Sequence, residues 1–229
     1  MNEPATPRTD IVLPIPLGHV NAFLIRGSRP VIVDTGLPGS APKILSVLKK
    51  EGFAPWDLAL IIITHAHPDH SGCAAALAGA TGAPVLVHAG EADYLSTGAS
   101  APARPTALLG HLFGLMIKKN ATAPELAVTP VIRIDALYRL DAFGVDGTII
   151  PTPGHTNGSL SVILATGECI AGDLVTGMFP ATEPRLPIFA EDPDAARESI
   201  RTILAANPKI IYAGHGGPFT REQVQALVR

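Results

Sequence analysis

The chain has 229 residues, of which 47% are hydrophobic and 16% charged, and it carries a formal net charge of −3. That balance fits a globular protein with its own core and excludes a disordered chain. A slightly negative chain offers no general electrostatic grip on nucleic acid or on an anionic membrane, so neither is expected as a partner.

The first ten residues, MNEPATPRTD, are polar and lack an apolar core, so no secretory leader is expected and a cytoplasmic location is the default. Strands are expected at residues 11–16, 20–25 and 31–33, punctuated by Gly18, Gly27 and Gly36. A helix follows over 41–51, with Ile44, Leu45, Val47 and Leu48 on one broad face and Gly52 as its stop. Residues 58–63 read LALIII, a continuous apolar run of the kind a strand buried on both faces requires. After THAHPDHSG come an Ala-rich helix at 73–80 and another apolar strand at 85–88.

The stretch 91–136 is the least regular, broken by Pro102, Pro105, Pro124 and Pro130 around an apolar segment, ALLGHLFGLMIKK, that reads as a helix. Its apolar run is too short for the ~20 residues a bilayer demands. Strand-and-turn rhythm resumes at 138–140, 148–151, 160–164 and 169–171. An amphipathic helix (194–206), a strand (209–212) and a closing helix (222–228) complete the chain. With no repeat and no linker, residues 1–229 are expected to form a single α/β domain with a lid-like insertion around 91–136. The two cysteines, Cys73 and Cys169, form no Cys-x-x-Cys pair and are expected to be buried free thiols.

The informative fact is where the eight histidines sit. His65, His67 and His70 fall within six positions together with Asp69, in a turn after a buried strand. Packing alone does not call for three imidazoles and a carboxylate there, whereas zinc, iron and manganese take these groups as ligands. His155 in TPGHT, Asp173 in AGD and His215 in AGHGG each occupy the same setting, a turn just after an apolar strand. Singly each has a dull explanation; together they supply the ligands the first cluster lacks.

The order His-x-His-x-Asp-His, then TPGHT, AGD and AGHG, resembles the metallo-β-lactamase superfamily over roughly residues 31–218. The resemblance implies a four-layer αββα sandwich of two mixed β-sheets, with the metal site at one edge between them. It also implies a role for each residue. His65, His67 and His155 would bind one ion, Asp69, His70 and His215 a second, and Asp173 would bridge them. Two divalent ions, zinc with iron or manganese as alternatives, would share and acidify a water that attacks the substrate. Asp69 would orient that nucleophile and handle a proton.

Departures narrow the group. The β-lactamases of the superfamily are secreted and lack the bridging Asp, whereas Asp173 is present here. The best-known acyl-homoserine lactonases place a Tyr where Thr176 and Met178 stand. No flavodoxin domain or basic arm is found. A glyoxalase II-like hydrolase of thioesters, lactones or carboxylic esters remains, with a small-molecule substrate. A mononuclear iron enzyme similar to persulfide dioxygenases is the alternative.

Other polar residues have plainer readings. Asp34, in a VDTG that occurs once, is expected to shape its turn or hold a ligand rather than act as an aspartic protease. His19 and His88 are expected in hydrogen-bonded structural roles. His111, Phe113 and Met116 are candidate substrate contacts within the insertion, a run that reads equally as packing against the sandwich.

Overall fold

The computed structural model describes residues 11–106, 123–177 and 181–229. Two six-stranded sheets face one another. The first takes its strands in sequence order: β1 (Val12–Pro16), β2 (Asn21–Ile25), β3 (Val31–Val33), β4 (Leu60–Ile62), β5 (Val85–His88) and β6 (Ile132–Ile134). β1 to β3 are antiparallel, and β3 to β6 run parallel. The second sheet has β7 (Tyr138–Arg139), β8 (Gly147–Pro151), β9 (Leu160–Leu164), β10 (Glu168–Ile170), β11 (Ile210–Tyr212) and β12 (Phe219–Thr220). Only β10 and β11 pair in parallel there, so both sheets are mixed.

Alternation along the strands assigns the layers. Val31, Val33, Leu60, Ile62 and Leu86 point inward, where they meet Ile149, Val162, Ile170 and Tyr212 of the second sheet. Their neighbours Ile32, Ile61, Ile63, Val85 and Val87 point outward, onto α1 (Ala41–Lys50), α3 (Ala74–Thr81) and α4 (Ala92–Thr97). This explains why LALIII is apolar without a break. Both faces are buried, and each such side chain contributes about 1.5–3 kcal/mol. On the far side, Cys169 and Ile211 pack under α5 (Pro193–Ala205) and α6 (Arg221–Gln225). The four-layer αββα sandwich expected from the sequence is what these residues form. Cys73 and Cys169 are both free and buried.

The helix ends follow their local chemistry. Asp192 caps α5 by accepting from the backbone N–H of Asp194 and Ala195, with Pro193 in the first turn. α1 stops at Gly52, whose φ of +89° lets the chain turn away.

The span 91–136 is more deeply built into the sandwich than a simple insertion. α4 packs in the first outer layer and β6 closes the first sheet. The parallel β5–β6 pairing supplies the ladder that a sequence window of three residues could not announce. The segment 101–106 is tied to the sandwich by Ala101 N–H to Ala66 O and Thr106 N–H to Ile188 O. Residues 107–122, the middle of the expected lid, lie outside the described residues. Among the described residues no helix is long and apolar enough to cross a membrane.

Strand direction positions the site. β3, β4 and β5 run parallel, so the turns after them open at one edge. In the second sheet β8, β10 and β11 point the same way, because β9 is antiparallel to both β8 and β10. Six turns therefore meet at one edge of the sandwich.

Candidate metal centre

The turn after β4 carries His65 and His67, then enters the short helix α2 (Pro68–Ser71), which holds Asp69 and His70. Pro68 at its first position has the fixed φ that starts a helix, and Ser71 Oγ donates back to His67 O. His155 follows β8, Asp173 sits in a 3-10 turn after β10 (Gly172–Leu174), and His215 follows β11. All seven residues singled out from the sequence meet here. Six are buried, and only Asp69 is partly exposed, with 27% of its side-chain surface open.

They divide into two overlapping sets. His155 Nε2 lies 3.2 Å from His65 Nε2 and 3.0 Å from His67 Nδ1. A tetrahedral zinc with ligands at about 2.0–2.1 Å spaces them about 3.3 Å apart, close to this triangle. In the second set, His215 Nε2 is 3.4 Å from Asp69 Oδ2 and 3.3 Å from Asp173 Oδ2, and His70 Nε2 is 3.4 Å from Asp173 Oδ1. Asp173 Oδ2 also approaches His155 Nε2, at 3.8 Å, so this carboxylate stands between the sets. His65, His67 and His155 form one group able to hold an ion, and Asp69, His70 and His215 another.

The nitrogens that face away from the cluster fix how the rings present themselves. His155 Nδ1 donates to Phe189 O and His215 Nδ1 to His19 O, both at 2.7 Å. His70 Nδ1 donates to Asp34 Oδ2 at 2.8 Å. Thr64 Oγ1 gives its one proton to the Asp34 carboxylate and accepts from His65 Nδ1 at 3.0 Å. In a neutral ring, an outer nitrogen that donates leaves the inner nitrogen as a lone pair, the state a metal ligand needs. His70 Nε2 and Asp173 Oδ1 are buried, face each other and make no hydrogen bond. Converging lone pairs and buried polar atoms without partners, His67 Nε2 among them, fit a divalent cation and no network of hydrogen bonds among themselves.

Charge separates the sets as well. Burial, reinforced by the neighbouring rings, pushes His65 well below the ordinary imidazole pKa and His67 down to about 3. Burial also lowers His155. Around the carboxylates burial opposes charge too, but pairing wins. Asp173, Asp34 and Asp69 hold His70 well above its ordinary value, and Asp173 with Asp69 lifts His215 to about 10. Against the same burial, His70 and His215 hold Asp69 and Asp173 below the carboxylate range. Metal cations can replace those ring protons.

The supporting residues were harder to find in the sequence. Asp34 was expected to shape a turn or hold a ligand, and it does both. At φ +60° it leaves β3, and its carboxylate accepts from Thr64 N–H, Thr64 Oγ1 and His70 Nδ1. A buried non-glycine at positive φ is strained, and here those three donors compensate. Asn21 was missed. Its Nδ2 donates to Ala213 O and Gly216 O and pins the AGHGG turn; a polar residue opening an apolar strand was the available signal. Gly214 is required sterically, since a Cβ there would lie 2.3 Å from Asp173 Oδ1. His19 holds His215 through its carbonyl, while its exposed ring lies parallel to the His215 ring at 5.9 Å. His88 Nδ1 accepts from Gly90 N–H, the structural role expected. His111, Phe113 and Met116 lie outside the described residues.

The sandwich and the His/Asp cluster at its edge together define a protein suited to binding divalent metal. The chain belongs to the metallo-beta-lactamase superfamily, whose family profile matches residues 15–215. Among curated relatives it is 30% identical to the probable metallo-hydrolase YflN of Bacillus subtilis, over 83% of this chain and 76% of that protein. It is 28% identical to the probable metallo-hydrolase MJ0888 of Methanocaldococcus jannaschii, over 86% and 87%. A hydroxyacylglutathione hydrolase of Albidiferax ferrireducens is 33% identical over 63% of this chain and 42% of its own length. Among solved structures, a metallo-β-lactamase family protein of Thermus thermophilus, TTHA1429, shares the fold. Its TM-score is 0.65 at 22% identity, covering 95% of this chain and 77% of that one.

Proposed function

We propose that this chain is a metal-dependent hydrolase of thioesters, lactones or carboxylic esters that holds two divalent ions, zinc first, with iron or manganese as substitutes. The observation that carries the reading is the aim of the imidazoles. Four outer nitrogens are fixed as donors, so that four inner ones converge on the cluster beside Asp69 and Asp173. His65, His67 and His155 hold one ion, Asp69, His70 and His215 the other, and Asp173 lies between. The ions, when bound, supply Lewis acidity and a water acidified enough to act as nucleophile near neutral pH.

The chain's own residues do the rest. Asp69, the one ligand carboxylate partly open to solvent, accepts a proton and orients the nucleophile at the mouth of the site. Its pKa, held below the usual range by His70 and His215 against burial, keeps it ionised at neutral pH, so that it accepts a hydrogen bond from the nucleophile. Asp34, Thr64, Phe189 O and His19 O hold the rings so that no reorientation accompanies the reaction.

The relatives support hydrolysis: two are named probable metallo-hydrolases, and the hydroxyacylglutathione hydrolase supports the thioester arm. The substrate is a small molecule with an apolar acyl part. The apolar run at 108–117 follows in sequence on segment 101–106, which is hydrogen-bonded to Ala66, between His65 and His67, and to Ile188. Charges over 91–146 nearly balance, five positive against six negative, and give no field to gather a polyanion.

Elemental analysis with a substrate panel at fixed metal loading tests this. Two ions per chain and turnover of acyl esters or thioesters over phosphodiesters are expected. One ion per chain, unchanged by added zinc or manganese, overturns the two-metal reading and favours the mononuclear iron dioxygenase. Turnover of phosphodiesters alone overturns the acyl substrate.

A further inference from the structure

Glu91 is a buried carboxylate that the proposed chemistry does not use. It ends the 3-10 turn Ala89–Glu91 after β5, is 2% exposed, and among the described residues no lysine or arginine pairs with it. Backbone N–H groups hold it instead. Oε2 accepts from Ala66 N–H at 2.8 Å, and Oε1 accepts from Gly158 N–H at 3.3 Å.

These partners belong to two different turns. Ala66 stands between His65 and His67, and Gly158 follows His155 by three positions. The contact is close: a Cβ on Gly158 would lie 2.4 Å from Glu91 Cγ. Burying an unpaired carboxylate is costly unless its oxygens are satisfied, and an apolar side chain would fill the same space without that penalty. A carboxylate is suited to this place because both its oxygens accept, one toward each turn. Glutamine would turn an NH2 toward one of the two N–H groups.

We propose that Glu91 is a positioning residue that clamps the turn of His65 and His67 to the turn of His155 and so sets the spacing of the three-histidine position. This rests on the reading that those histidines hold a metal ion. Replacing residues that orient metal ligands lowers affinity about 10–100-fold, and a loss in that range is expected at this position.

The test is Co2+ titration of the full chain, followed by visible ligand-field absorption, for wild type, Glu91→Gln and Gly158→Ala. The second variant presses on Glu91 from the opposite turn and covers a failure of the first to fold. Thermal unfolding of the metal-free proteins runs alongside. The expected result is a folded variant whose Co2+ binding at the three-histidine position weakens about 10–100-fold with an altered spectrum, the carboxylate position unchanged. A lower Tm with unchanged affinity and spectrum assigns Glu91 to packing alone and overturns the inference. Equal weakening at both positions overturns it as well, since a clamp on these two turns acts on one position. A wild-type chain that binds no Co2+ overturns the metal reading and this inference with it, an outcome distinct from normal binding in all three proteins.

Discussion

The three-histidine half and the carboxylate half of the cluster lie side by side and prefer opposite protonation states. In the first, burial and mutual repulsion keep His65, His67 and His155 neutral. In the second, His70 and His215 sit among Asp34, Asp69 and Asp173 and hold protons above neutral pH. One half offers lone pairs with no compensating charge, and the other offers negative charge that calls for cations. Burial is nearly matched; the placement of three carboxylates makes the difference. An ion in the three-histidine half would rest on geometry, and one in the carboxylate half largely on charge.

The comparison breaks most severely at Asp173, which touches both halves. Asp173→Ala leaves His215 without its nearest carboxylate and His70 without the one that faces its Nε2. We expect it to weaken metal binding in both halves, abolish hydrolysis, and lower metal-free stability by about 3–5 kcal/mol. Elemental analysis and kcat/KM on a purified variant check this; full activity would refute the bridging role.

Asp34→Asn strikes only the carboxylate half directly, since Asp34 is the acceptor that orients His70. Metal affinity there should fall about 10–100-fold in a competition titration against a chelating dye. An equal loss in the three-histidine half would mean that the link through Thr64 to His65 matters as much.

The protonation difference itself is read in metal-free protein. His215, raised to about 10, and His70 contribute stability that is fully present below pH 6.5 and lost as pH rises toward 10. The lowered histidines act in the opposite sense. Between pH 6.5 and about 3 the unfolded chain takes up protons that folded His67 refuses, so stability falls with pH. Denaturant unfolding after chelation should show a maximum near pH 6.5. His215→Ala should flatten the alkaline limb and His67→Ala the acid limb; a monotonic profile would contradict the contrast between the halves.

The smallest effect is expected at His19. Its side chain is exposed and its carbonyl, not its ring, holds His215. His19→Ala should leave metal content unchanged and shift stability by no more than about 0.5 kcal/mol, measured by elemental analysis and thermal unfolding. Loss of metal would show that the stacked ring matters as well.

The sequence by itself determined much of this protein. Its apolar runs located ten of the strands, because burial on two faces leaves a continuous hydrophobic signature, as in LALIII. It also named all seven residues of the cluster, because metal chemistry demands residue types that packing does not. Short elements held by long-range pairing left no such mark. β6 exists through its ladder with β5, and β12 through its ladder with β11. Only the tertiary structure decided which turns meet, because strand direction, not sequence distance, brings His65 within 3.2 Å of His155. It alone decided the supporting roles of Asn21 and Glu91 and the partners of Asp34. A carboxylate or amide that holds a turn looks in sequence like any other, and its partners, such as Gly158 N–H and His70 Nδ1, are chosen by the packing of the two sheets.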